Sequence, residues 1–164
     1  MVGVAGEEVS QKTILEDLET FVKNPIHSIE DEAIQKIVAQ KSSAIPELKR
    51  ILSDLTLETQ VRAWAAFLPS QMHREIASEL VPELLCSLNE PSWRVRKNAA
   101  NSLGNLRISD TIPSLLNALG DEEILVRDSA EYALEKILTT FPSLKSQCPN
   151  RTIYLKYIAR RKLP

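Results

Sequence analysis

The chain has 164 residues, of which 43% are hydrophobic and 26% charged, with a formal net charge of −2, a composition typical of a soluble globular domain. The slightly negative net charge is unlike that of a dedicated nucleic-acid binder. Two cysteines are too few for a disulfide framework. No apolar run is long enough to span a bilayer. Because the first residues lack a basic start followed by an apolar stretch, we expect no secretory signal and a cytoplasmic location.

Two amphipathic helices are predicted near the amino terminus, after a flexible segment at residues 1–9. Apolar residues at helical spacing define them, in the order Ile14, Leu18, Phe21 and Val22, then Ala33, Ile34, Ile37 and Val38. Asn24 and Pro25 separate the two helices, since proline does not continue a helix. A stack of repeats needs a terminal unit with a polar outer face, so we interpret residues 10–43, which carry more acids than bases, as an N-terminal cap.

The centre of the chain repeats one pattern three times. Ile45, Val81 and Ile112 are each followed by proline, and each proline is followed in turn by a valine–arginine pair: Val61-Arg62, Val95-Arg96 and Val126-Arg127. The prolines are 36 and 31 residues apart, and the valines 34 and 31. Such self-similarity predicts a solenoid whose units bury their apolar faces only against their neighbours. We assign the units to residues 44–80, 81–110 and 111–140, the first with a longer exit around Pro69.

Each unit is predicted to contain two helices. A proline opens the first helix without breaking a helical hydrogen bond, and Ser92 and Asp121 are the expected N-caps of two of the second helices. Cys86 is expected in the core of a first helix. The second helices are expected to bury one apolar stripe in each of the last two units, namely Val95, Ala99, Leu103 and Leu106, then Val126, Ala130, Leu134 and Ile137.

The last segment, residues 141–164, is basic, with six lysines and arginines and no acid. Asn150 is the expected N-cap of a short helix, a C-terminal lid, with one apolar face formed by Ile153, Tyr154, Tyr157 and Ile158. Two interpretations of the charge stay open. The tail is either an arm that contacts an acidic protein, nucleic acid or membrane surface, or a solvated end whose cations suit a helix dipole.

No strand-like alternation persists, so the predicted fold class is all-α: an α-α superhelix of about four helical hairpins. The proline at the first helix, the acid or asparagine at the turn, the valine–arginine pair and the clustered alanines together resemble the HEAT-like repeats of the phycobilisome-lyase type, over residues 44–138. Such repeats occur in bilin lyases, in phycobilisome-degradation proteins, in scaffolds and in related hydroxylases. The resemblance therefore implies an α-solenoid and no single reaction.

The three arginines of the repeat allow two interpretations. Arg62, Arg96 and Arg127 recur at one position, with Asp54, Glu90 and Asp121 before them near the turns. A row of arginines could bind a ligand. We favour an internal ladder in which each guanidinium pairs with an acid or a helix-end carbonyl of the adjoining unit, as its fork geometry permits.

The solvent-facing positions of the second helices are the candidate binding site, because in this repeat class those helices line the concave surface. Ala63, Lys97 and Asp128 share one such position, two residues beyond each core valine. Aromatic residues and arginine contribute disproportionately to interface energy. The predicted partner-binding residues are Phe67, Trp93, Arg94, Lys97, Asn101, Asp128, Glu131 and Tyr132. Trp64 and Phe67 have an equally good interpretation as core residues of an irregular first unit.

No catalytic or metal-binding arrangement is visible. His27 and His73 lack the adjacent carboxylate used by the di-iron hydroxylases built on this repeat, and no nucleophile elbow or phosphate loop is present. We therefore expect no cofactor and no metal. The sequence favours a non-catalytic protein-interaction module or adaptor whose partner is another protein, without nucleic-acid binding or membrane insertion. The alternative, implied by the repeat subtype, is a bilin lyase or a related chromophore-handling protein.

Overall fold

The computed structural model describes residues 13–23 and 27–144, with the main chain alone at residues 27–31. The described residues form nine α-helices and no strand, which confirms the predicted all-α solenoid. The helices are α1 (Ile14–Lys23), α2 (His27–Ala39), α3 (Ile45–Ser53), α4 (Thr59–Phe67), α5 (Arg74–Ala77), α6 (Val81–Ser87), α7 (Trp93–Leu106), α8 (Ile112–Ala118) and α9 (Ile124–Thr140). The predicted flexible segment at 1–9, the C-terminal lid and the basic tail beyond residue 144 lie outside the described residues.

A proline lies in the first turn of α3, α6 and α8, the first helices of the three central pairs. At that position the missing N–H would have had no helical acceptor. A short 3-10 turn leads into each of these helices, at Lys41–Ala44, Ser78–Leu80 and Ser109–Thr111. The repeated sequence pattern thus produces a repeated local structure.

The exit of the first central pair is longer than that of the second. Helix α4 passes into a 3-10 turn at Leu68–Gln71, and the additional helix α5 follows before α6. Helix α7 instead ends at Arg107, which adopts a left-handed conformation (φ 50°) and donates its N–H to the carbonyl oxygens of Leu103 and Gly104 at 3.1 and 3.2 Å. This C-cap satisfies the last carbonyls of α7. The longer exit was predicted, whereas α5 was not.

The second helices form the tightly packed layer of the stack. Helix α7 lies between α4 and α9 and packs extensively on both, whereas the first helices touch one another much less. A Cβ placed on Gly104 of α7 would lie 2.5 Å from the Cα of Ala133 in α9, so the two helix backbones touch. The second helices therefore form the more closely packed layer, and that they line the concave surface stays a prediction from the repeat class.

The predicted core of the second helices is confirmed, because all eight residues named for α7 and α9 are at most 1% exposed. Two other expectations are wrong. Ala63, expected to face solvent, is buried where α4 packs on α7. Cys86, expected in the core, is exposed on α6.

Each arginine of the repeat reaches into a turn. Arg62 of α4 ion-pairs with Glu90, and both side chains are more than nine-tenths buried. Arg96 of α7 donates to both carboxylate oxygens of Asp121, from Nε at 2.7 Å and from Nη2 at 2.9 Å. Arg127 of α9 donates to the carbonyl oxygens of Asp121 and Glu122 at 2.6 and 2.9 Å. The favoured interpretation, an internal ladder between adjoining units, is confirmed for Arg62 and Arg96, whereas Arg127 bonds to the turn of its own unit.

Asp121 holds the ladder together at the α8–α9 turn. Its hydrogen bonds from Arg96 lower its pKa below the ordinary value of 3.8, against the opposing effect of burial. Its Oδ1 also accepts the N–H of Glu123 at 2.9 Å. The expectation that Asp121 is the N-cap is wrong, because α9 begins at Ile124 and Glu123 occupies the N-cap position. The Asp121 carboxylate instead fixes the α8–α9 turn and orients the side chain of Arg96.

The amino-terminal helix pair attaches to the stack differently. Glu47 of α3 accepts hydrogen bonds from the N–H groups of Ile14 and Leu15 at 3.1 and 3.2 Å, and thereby satisfies two free donors at the start of α1. The ring of Phe21 meets the ring of Trp64 edge to face, with 4.7 Å between centroids. A carboxylate cap and an aromatic pair therefore replace the arginine ladder at this junction.

Candidate protein-binding face

A groove lies between α4 and α7, on the side of the stack that the repeat class predicts to be concave, with a volume of about 350 Å³. Two neighbouring second helices supply its walls, so every residue is placed by the helix register. The lining residues are Gln60, Ala63, Trp64 and Phe67 from α4, and Trp93, Arg94, Lys97, Asn98 and Asn101 from α7. We call this the concave groove. Five of the eight predicted binding residues lie in it, namely Phe67, Trp93, Arg94, Lys97 and Asn101.

The apolar part of the concave groove is fixed by ring packing. Trp64 meets Phe67 edge to face, with 5.5 Å between centroids, and on its other side it meets Phe21. Both Trp64 and Phe67 are partly buried and line the groove. The ring packing supports the interpretation of these residues as core residues of the first unit, while the same rings also form the groove wall, and their part in binding a partner stays a prediction.

The cationic part of the concave groove comes from α7. The guanidinium of Arg94 lies 4.6 Å from the centroid of the Trp93 ring, a cation–π interaction that holds both side chains at the groove edge. Lys97 follows one turn later on the same helix. Among the residues that the structure describes, no carboxylate lines the groove, so the charged side chains of its lining complement a negatively charged ligand group.

Side chains of α7 bond to the backbone of α4 beneath the concave groove. Asn98 donates from Nδ2 to the carbonyl oxygen of Ala63 at 2.7 Å, and the buried Ser102 donates to the carbonyl oxygen of Ala66 at 2.6 Å. These bonds cross between helices and fix their register. The groove is therefore a rigid surface, and a ligand that binds there causes little loss of protein entropy.

The three remaining predicted residues lie on α9. Asp128, Glu131 and Tyr132 do not line the concave groove, although α9 belongs to the same helix layer. Tyr132 is 46% exposed, and the ammonium of Lys136 lies 4.6 Å from its ring centroid. The predicted stripe therefore consists of a cationic and aromatic groove and a separate acidic helix face with one exposed tyrosine.

Sequence reasoning missed four residues that the repeat register could have identified. Gln60 occupies the same repeat position as Arg94, and Asn98 the same position as Trp64, and both line the groove. Ile124 and Leu125 of α9 occupy the repeat positions that Trp93 and Arg94 occupy on α7, and they are 58% and 45% exposed. Exposed apolar side chains thus continue along this layer beyond the groove.

A larger opening of about 470 Å³ lies on the other side of the stack, lined by α3, α6 and the turn that carries Glu90. It includes the exposed Leu55 and Cys86. It contains none of the predicted binding residues.

The comparisons agree with this repeat architecture. The family model described as HEAT repeats matches residues 45–135, which is more than half of the chain and runs from α3 into α9. The match gives the general repeat class, and the phycobilisome-lyase subtype stays a prediction. No curated protein matches the chain significantly. Of the helices formed by the described residues, none is both long and apolar enough to cross a membrane.

Proposed function

Since the chain belongs to the HEAT repeat family, we propose that it is a non-catalytic protein-interaction module, an adaptor that holds a partner protein on the concave face formed by α4, α7 and α9. The observation that carries this proposal is the concave groove, in which Trp93, Arg94 and aromatic residues of α4 adjoin on a rigid support. Tryptophan and arginine are the residue types that contribute most to interfaces.

The rest of the second-helix layer supports the same face. Leu125 and Tyr132 of α9 expose large apolar surfaces, and such patches on a folded protein are typical of interaction sites. The side chains beneath the face are used in structural bonds, since the repeat arginines bond to turns and Asn98 bonds to α4. The exposed side chains are therefore presented by a support that binding does not need to reorganise.

The test is capture of partners from the native source by the immobilised chain. The triple variant Lys97→Ala, Asn101→Ala, Tyr132→Ala is expected to lose the captured protein while its melting temperature stays close to that of the wild type, because these three side chains lie at the surface or are only partly buried. Cys86→Ser, on the opposite side of the stack, is the control and should capture as the wild type does. Equal capture by the triple variant would remove the proposal.

A further inference from the structure

We propose that the concave groove recognises an acidic segment of the partner protein, in which a glutamate or aspartate is next to an aromatic or large aliphatic residue. This inference rests on the proposed function and adds the chemistry of the segment that is bound. It is carried by the charge of the groove, the position of its apolar wall and its amide groups.

The charge of the groove is the first argument. Within the described part of the chain, its lining contains two cations, Arg94 and Lys97, and no acid. The repeat arginines of the same helices bond inside the stack. Arg62 pairs with Glu90, and Arg96 pairs with Asp121 and donates to the carbonyl oxygen of Glu90. Arg94 and Lys97 are thus the cations that this wall offers to a ligand, and a carboxylate is their complement.

The apolar wall gives the second argument. Trp64 and Phe67 hold each other edge to face across from Trp93 on the facing helix. Arg94 lies directly over the Trp93 ring, 4.6 Å from its centroid. The cation and the aromatic surface therefore adjoin, and a ligand that uses both must carry its carboxylate and its apolar side chain close together in sequence.

The amides of the groove suit an extended peptide. Gln60 of α4 and Asn101 of α7 both line the groove, and each has a donor and an acceptor, so they match the N–H and C=O groups of a peptide backbone. Asn98 donates an N–H to Ala63 but retains its carbonyl oxygen as an acceptor. The volume of about 350 Å³ lies at the low end of small-molecule sites, roughly 300–1,000 Å³, and accommodates a short stretch of side chains and backbone.

A single-stranded nucleic acid would also use cations and aromatic rings. Such ligands, however, need a basic track along the backbone, and affinity comes from several phosphate contacts. The described residues supply two cations to the groove, and the chain as a whole has a net charge of −2. The structure therefore favours a peptide carboxylate over a phosphate backbone.

The experiment uses tryptophan fluorescence, because the two tryptophans of the chain, Trp64 and Trp93, both line the groove. The probes are blocked synthetic peptides containing Glu-Phe-Glu between glycines, with matched peptides in which Gln or Lys replaces Glu, or Ala replaces Phe. The acidic aromatic peptide is expected to bind at least about tenfold more tightly than the Gln and Lys peptides, because hydrogen bonds between charged groups are about twice as strong as neutral ones. The Ala peptide should also bind more weakly.

Charge reversal provides the matched variants. The double variant Arg94→Glu, Lys97→Glu is expected to prefer the Lys peptide over the Glu peptide. Arg107→Glu is the control, because Arg107 is exposed at the opposite end of α7, about 15–20 Å away at 1.5 Å per residue. Its peptide preference should be that of the wild type.

The proposal is overturned by equal binding of the Glu, Gln and Lys peptides, by a preference that charge reversal leaves unchanged, or by tighter binding of a single-stranded oligouridine than of any peptide. Such results leave the proposed function standing if the alanine triple variant still loses its captured partner. Unchanged capture by that triple variant would remove the proposed function itself.

Discussion

Replacing Gly104 by alanine is expected to destabilise the protein, although alanine is the better helix former. Gly104 lies within α7, and a Cβ there would lie 2.5 Å from the Cα and 2.7 Å from the Cβ of Ala133 in α9. Carbon atoms in a packed core rest about 3.5–4.0 Å apart, so the two helices would have to separate by about 1 Å. Helix propensity and packing therefore act in opposite directions at this position.

The magnitudes decide the sign. Alanine gains about 1 kcal/mol over glycine in a helix, and overpacking a well-packed core costs about 1–3 kcal/mol. The atoms that the new methyl group meets are main chain and a Cβ, neither of which can rotate away. The upper end of the cost therefore applies, with a net loss of about 2 kcal/mol. For a chain of this length the melting temperature should fall by about 4–8 °C.

The assay is urea denaturation and thermal unfolding followed by far-ultraviolet circular dichroism. Gly120→Ala is the control, because Gly120 is exposed and its Cβ would approach only the carbonyl oxygen of Asn117, at 3.3 Å; a change within about 0.5 kcal/mol is expected. Adding Ala133→Gly to Gly104→Ala should rescue only part of the loss, since the new methyl group would still press on the main chain of α9. A Gly104→Ala protein as stable as the wild type would refute the inferred close approach of the two helix backbones.

Three further predictions concern the bonds between units. Arg62→Met leaves Glu90 buried without its partner and should cost about 3–5 kcal/mol in urea denaturation, with partial recovery when Glu90→Gln is added; no recovery would contradict the pairing. The pKa of Asp121 is lowered in the folded state, so its stabilisation is present above its ordinary value of 3.8 and is lost as the pH falls through the lower folded value. The free energy of unfolding of Asp121→Asn should therefore fall less steeply than that of the wild type as the pH drops below 3.8. Parallel slopes for the two proteins would contradict the lowered pKa of Asp121. Ser102→Ala removes a buried bond to α4 and should cost about 1 kcal/mol in thermal unfolding, whereas Ser53→Ala, at an exposed site, should change little.

The repeat register predicted the fold because each unit supplies its own signals. A proline after Ile45, Val81 or Ile112 starts a helix by local chemistry alone, and the second-helix core positions follow from helical periodicity. The ladder was predictable for the same reason, since an arginine recurs at one repeat position with an acid near each turn. Such features need no knowledge of how far apart the units lie.

Features that depend on the distance between helices were not predicted. The concave groove exists because α4 and α7 approach closely enough for Trp64 and Trp93 to line one space, and no single-helix pattern contains that distance. Ala63 is buried for the same reason. Cys86 is different, because its repeat position in the next unit is the exposed Asn117, and this comparison would have indicated an exposed site.

The direction of the arginine ladder also bears on how such a chain can lengthen. Arg62 and Arg96 each reach the turn of the next unit in the chain, so the middle unit provides an acceptor for the unit before it and a donor for the unit after it. Asp54 occupies the acceptor position of the first central unit, but there its carboxylate bonds to the N–H and hydroxyl of Thr56 at 3.0 and 2.6 Å. An internal duplication of residues 81–110 would therefore bring both halves of a new ion pair with it, and the array could grow in whole modules without inventing a new junction.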